Sequence, residues 1–173
     1  SVDVRRASGE SATVDAAFRV AASTDVPAVG QPAPRSRTPT AGDAGDVSLI
    51  DSGTPPDDMH QVSIAQAIER HLPTLVVFAT PAFCQTATCG PQIHAIQGLE
   101  PAYRDRVAFI HVEVYEDFRP DPSKRRLVPA MGEWHLQTEP WTFLIDRTGI
   151  IRAEFEGATG TEALRPALDQ LLS

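Results

Sequence analysis

Lysine is almost absent from this chain: Lys124 is the single one among 173 residues, and 14 arginines stand against 23 acidic residues for a formal net charge of −8. A surface so short of cations cannot neutralise a run of phosphates, so no nucleic-acid partner is expected. Long apolar runs are also missing. None approaches the length of a membrane span, and no signal peptide is visible. The chain starts at Ser1 and soon enters strand-like sequence, so a leader or anchor is expected to have been removed. Aromatic residues make up only 6%, yet a 42% hydrophobic content over this length fills one domain plus an appendage rather than two domains. Cysteine is scarce as well. Two cysteines alone leave the redox compartment open.

Those two cysteines share one segment, Thr80-Pro81-Ala82-Phe83-Cys84-Gln85-Thr86-Ala87-Thr88-Cys89-Gly90-Pro91. Upstream, the short apolar run Thr74–Ala79 is patterned as a strand buried on both faces of a mostly parallel sheet. Downstream, Thr86, Thr88 and Gly90 suit a helix cap, and Pro91 is tolerated in a first helical turn. The thiols therefore meet a helix N-terminus, whose partial positive charge favours thiolate. If both cysteines were helical, their five-residue offset would set them about 140° apart around the axis. Cys84 is thus expected in the loop before the helix and Cys89 in or next to its first turn, where an intramolecular disulfide can close.

Along the rest of the chain, residues 12–20 alternate as a half-buried strand with no obvious local partner. Residues 23–56 carry six of the 15 prolines and read as a tether wrapping the domain, interrupted by a short strand at Val47–Ile50. Ser63 to Gln66 forms a capping box that opens a helix ending near His71, before Pro73. A helix over Thr88–Arg104, kinked at Pro101, is followed by a strand over Val107–Tyr115, with Ala108, Ile110, Val112 and Val114 on one face and Phe109, His111, Glu113 and Tyr115 on the other. A polar loop, Glu116–Leu127, precedes a short helix over Pro129–Leu136. Strands at Trp141–Asp146 and Ile150–Glu156 join through a turn at Gly149, and Thr161–Leu172 is an amphipathic helix with Leu164, Ala167, Leu168 and Leu171 on its apolar face.

From Val47 on, this order of elements, with the cysteines after the second strand and Glu139-Pro140-Trp141 before the hairpin, resembles a thioredoxin-like fold. Val29-Gly30-Gln31-Pro32-Ala33-Pro34 is similar to the opening motif of its exported, TlpA-like and redoxin branch. The resemblance implies an α/β fold with a central mixed sheet flanked by helices over residues 28–173, preceded by an N-terminal strand and tether over residues 1–27. It further implies an extracytoplasmic thiol:disulfide oxidoreductase that exchanges electrons with protein dithiols, with any membrane tether in a segment outside this chain. Cys84, Cys89 and Pro140, at the position of the family's cis-proline, are the implied catalytic residues, and Glu139 and Trp141 the implied substrate-binding ones. No cofactor is expected.

Several features depart from that pattern. Four residues separate the cysteines in place of the usual two, and Gln92 stands where Cys89-Gly90-Pro91 would lead to a second cysteine. Loop length from Phe78 favours Cys84 as nucleophile, and the Cys-Gly-Pro match favours Cys89. The strand before the cysteines supplies no buried carboxylate, leaving Glu113 and Glu139 as proton acceptors. The cysteine spacing also resembles Q-type peroxiredoxins, which makes thiol peroxidase the alternative; those enzymes carry an arginine near the position held here by Pro140. A third reading is a non-catalytic module with a structural disulfide. Copper delivery in the manner of Sco proteins asks for cysteines three residues apart and a histidine close before the hairpin strand, whereas His135 lies further upstream. No metal is expected. His60, His71 and His94 read as solvated residues, His111 as the hydrogen-bonded partner of Glu113, and Trp134 and Trp141 as packing residues, Trp141 also lining the groove.

Overall fold

The computed structural model describes residues 24–173, together with the backbone of residues 2–5 and 11–14. Strands β1 (Val2–Arg5) and β2 (Ser11–Val14) pair antiparallel in register Val2↔Val14 to Arg5↔Ser11. The alternating segment therefore has a sequence-local partner after all, immediately upstream of it. The rest of the strand expected there, residues 15–20, lies outside the described residues.

The domain is built on a four-stranded mixed sheet of order β4-β3-β7-β8, made of β3 (Thr74–Ala79), β4 (Ala108–Glu113), β7 (Trp141–Ile145) and β8 (Ile151–Glu156). β4 runs parallel to β3, while β7 and β8 add antiparallel. Every residue of β3 is buried, as its unbroken apolar run requires of a central strand. One face of the sheet, through Val76, Phe78, Ile110 and Phe143, packs on α2 (Ile64–Glu69) and α4 (Pro129–Glu133). The other, through Leu75, Val77 and Leu144, packs on α3 (Cys89–Tyr103) and α5 (Thr161–Leu172). This is the helix-flanked, thioredoxin-like arrangement that the order of elements implied.

Local chemistry sets the boundaries. Thr40 and Asp43 close the capping box of the one-turn helix α1 (Ala41–Ala44) reciprocally, as Ser63 and Gln66 do for α2. Helix α3 runs through Pro101 to Tyr103, and Leu164 and Leu168 anchor α5. Gly149 turns the β7–β8 hairpin at φ 83°, with Ile68 packed so close that a Cβ would meet its methyl at 3.1 Å. The opening motif lies along the start of β8, where the Gly30 N–H donates to Ile151 O and the Ala33 N–H to Gly149 O.

Three expectations change. Val47–Leu49 is a single 3-10 turn capped by the Asp46 carboxylate on the Ser48 N–H, not a strand. Beside β4 the chain instead contributes Met59 O, which accepts from the His111 N–H at 2.8 Å. The strand expected to reach Tyr115 breaks at Val114, and the chain re-pairs as β5 (Tyr115–Glu116) with β6 (Arg126–Leu127). The polar loop is thereby a small ribbon enclosing a 3-10 turn at Pro122–Lys124, with Arg126 paired to Glu116 and Asp117.

Candidate active site

β3 delivers the chain to the sheet edge at Thr80, and a turn closes there as the Cys84 N–H donates to Thr80 O at 3.1 Å. Phe83 pins this turn edge-on against Tyr115 and Phe118, with the Arg125 guanidinium 5.1 Å from its ring centre. Ala87 takes φ 57°, and α3 begins at Cys89. Thr88 supplies no side-chain cap. The sulfur of Cys84 occupies that place, accepting from the Cys89 N–H at 3.3 Å and lying 3.3 Å from the Thr86 hydroxyl, which in turn contacts the Thr88 hydroxyl at 2.6 Å.

The two thiols are free in this structure and sharply different. Cys84 is half-buried. Burial alone would raise its pKa, but hydrogen bonds from Cys89, from the Thr86 hydroxyl and from the helix-terminal backbone outweigh burial and bring it down to about 7. Cys89 is fully buried. Burial, then hydrogen bonding to Cys84, and the nearby Glu139 charge all push its thiol far up. Of the two thiols, Cys84 is therefore the one that ionises first, while Cys89 keeps its proton.

Glu139 completes the site. One of its carboxylate oxygens and the two sulfurs all lie within 4.8 Å of one another. Burial and the charge of Glu113 raise its pKa. The Glu139–Pro140 bond is cis, as expected from the matched position, and Thr54–Pro55 and Arg119–Pro120 are cis as well. Glu113, buried at the end of β4, has its carboxylate taken up by the N–H groups of Ser52 and Tyr115, and burial raises its pKa. Ser52 in turn accepts from the Ala82 N–H, so this carboxylate supports the cysteine turn from behind.

Gln92 is buried one helical turn beyond Cys89. It donates to the Thr142 hydroxyl at 2.9 Å and accepts from the Thr159 N–H, joining α3 to β7 and to the loop before α5. Trp141 packs on the opposite face of the sheet from Cys89, stacked on Phe143 with ring centres 5.7 Å apart and donating to the Thr138 hydroxyl. His135 is exposed beyond α4, lining the same hollow as Trp141 rather than the thiols.

One group of residues escaped sequence reasoning. His60 is not solvated but buried, and His111 does not pair with Glu113. Both imidazoles meet the buried carboxylates of Asp51 and Asp57: His60 Nε2 lies 3.2 Å from each, and His111 Nδ1 lies 2.8 Å from Asp57. His111 Nε2 faces Ala79 O at 3.3 Å. Burial disfavours a charged His111, but Asp51 and Asp57 outweigh it and hold its pKa up to about 10. The aspartates answer downward: burial would raise both, yet hydrogen bonds from His111 and His60 hold them well below the usual carboxylate range. No local pattern announces this group, because its members come from a proline-rich loop and a strand about fifty residues later.

No protein-family profile and no curated protein sequence matches the chain. Among solved structures, one assigned as the thiol:disulfide interchange protein DsbE from Chlorobium tepidum superposes with a TM-score of 0.50 at 16% identity, over 62% of this chain and 85% of that one. StoA from Bacillus subtilis superposes at 0.46 and 19% identity, over 68% and 93%. At such identity the likeness to the Chlorobium protein is one of fold.

Proposed function

We propose that this chain is a thiol:disulfide oxidoreductase acting on protein dithiols and disulfides through Cys84 and Cys89. The observation that carries the reading is the Cys84 sulfur seated on the N-terminus of α3, with its pKa lowered to about 7 beside a protonated Cys89 thiol. Cys84 is the nucleophile. Its thiolate attacks a substrate disulfide, one substrate sulfur leaves as thiolate and takes a proton, and a mixed disulfide joins Cys84 to the substrate. Cys89 then loses its proton and attacks the Cys84 sulfur. The second substrate thiol is released, and the chain ends oxidised by two electrons while the substrate is reduced; the opposite direction reverses each step. Glu139, near both sulfurs and with a raised pKa, is the proton acceptor for Cys89.

The activity named for the Chlorobium neighbour is the one this dithiol fits. The opening motif Val29–Pro34 supports an extracytoplasmic setting. Pro140 and the backbone on either side of it form the substrate-facing edge, with Glu139 at the sulfurs; Trp141 steadies that edge from the far face of the sheet.

Reduced wild-type protein incubated with a protein disulfide and, separately, with hydroperoxide tests the reading. Disulfide exchange is expected, with Cys89→Ala accumulating a mixed disulfide on Cys84 and Cys84→Ser forming none. Rapid hydroperoxide consumption without disulfide exchange would assign a peroxidase, and inertness in both assays a non-catalytic scaffold.

A further inference from the structure

We propose that Asp51, Asp57, His60 and His111 form a structural binding site for a divalent cation of the zinc type, separate from the thiol pair. Each residue offers one ligand atom, and the four atoms all lie within 4.8 Å of one another. His60 Nε2 lies 3.2 Å from Asp51 Oδ2 and from Asp57 Oδ1, and His111 Nδ1 lies 2.8 Å from Asp57 Oδ2 and 3.7 Å from Asp51 Oδ2, spacings close to the about 3.3 Å that separates ligand atoms around a tetrahedral ion with bonds of about 2.0–2.1 Å. No ligand side chain is more than 3% exposed.

Without a cation, a hydrogen bond accounts for the 2.8 Å contact of His111 with Asp57 but less well for the paired contacts of His60. His60 Nε2 is equidistant from Asp51 and Asp57, and a single N–H cannot align with both; a cation between the three atoms can be met by all of them. Two adjacent buried carboxylates also repel, compensated otherwise by the two imidazoles and by neutral backbone N–H groups. A divalent cation with neutral imidazoles balances the charge at one centre, where buried charges taken singly are costly.

The surroundings orient the ligands in the manner of an outer shell. His111 directs its other ring nitrogen at Ala79 O, and the Asp51 carboxylate accepts from the N–H groups of Gly53 and Asp57. The Met59 N–H donates to Asp57. Two imidazoles with two carboxylates suit zinc and its cobalt substitute rather than copper(I), which prefers sulfur. Four protein ligands with side chains almost wholly buried make the site structural. It would fasten the loop at 51–60 to β4, and with it Ser52, which touches both Glu113 and the cysteine turn.

The test uses metal-free full chain carrying Cys84→Ser and Cys89→Ser, so that the thiols cannot bind the ion. Titrated with Co2+ and then Zn2+, it should take up one equivalent, show the visible bands of tetrahedral cobalt without a thiolate charge-transfer band, and shift the ring nitrogen resonances of both His60 and His111. His60→Gln in that background should weaken binding by more than about 100-fold while circular dichroism reports the native fold. Failure to bind one equivalent, or binding that leaves the two histidine rings unmoved, overturns the site. Both of those readouts come from the protein with the four ligands intact, so a His60→Gln variant that fails to fold does not decide the outcome.

Discussion

The backbone N–H of Cys89 points at the sulfur of Cys84 across 3.3 Å, so that one cysteine's side chain caps the helix that the other begins. With four residues between them, the first cysteine can turn back onto the helix end and receive its orphan donors, and those donors stabilise a thiolate.

Alkylation of Cys84 should follow this arrangement. Its rate should climb with pH and level off above an inflection near 7, well below the value of about 8.5 for a free thiol. Below the inflection the thiol is protonated and the rate falls about tenfold per pH unit. Thr86→Val removes one hydroxyl donor and should move the inflection upward by about half a pH unit, and Cys89→Ala should move it in the same direction. An inflection at the free-thiol value in wild type would mean that the helix end does not stabilise the thiolate.

Gln92 holds two partners, the buried Thr142 hydroxyl and the partly buried Thr159 N–H. Gln92→Leu should strand the Thr142 hydroxyl and the Thr159 N–H, lowering stability by about 2–4 kcal/mol and the melting temperature by roughly 5–15 °C. Thermal unfolding of the reduced protein measures this, and the Cys84 alkylation profile should stay unchanged.

Trp134 is the largest fully buried side chain, packed against Phe78 and Phe143 and donating to the Ser36 hydroxyl, which itself donates to Glu133. Trp134→Ala should cost about 3–5 kcal/mol in denaturant unfolding. Trp134→Phe should recover most of the packing while still losing the bond to Ser36.

Asp146 caps the β7–β8 turn. Burial would raise its pKa, but hydrogen bonds from Thr148, the Ile150 N–H and Arg152 hold it down to about 2. A carboxylate depressed on folding adds stability above its unfolded pKa of about 4, and that stability drains away as pH falls towards 2. Asp146→Asn should flatten the stability profile between those limits, measured by denaturant unfolding at each pH.

Much of this was legible in the sequence because it depended on local rules. The apolar run Thr74–Ala79 marked the central strand, the Ser63 capping box opened α2, and Gly149 turned the hairpin. The five-residue offset placed Cys84 ahead of the helix and Cys89 at its start without reference to any other part of the chain. Other features were settled only when distant segments met. Val47–Leu49 lacked strand partners and closed as a capped turn, because a strand needs a neighbour that local sequence cannot supply. Which cysteine is the more acidic depended on burial and on the direction of hydrogen bonds, both set by packing. His60 looked like an ordinary loop residue, and His111 like a strand partner of Glu113. Folding brought them together over Asp51 and Asp57, since convergence of side chains about fifty residues apart is a property of the tertiary contact and leaves no period in the sequence.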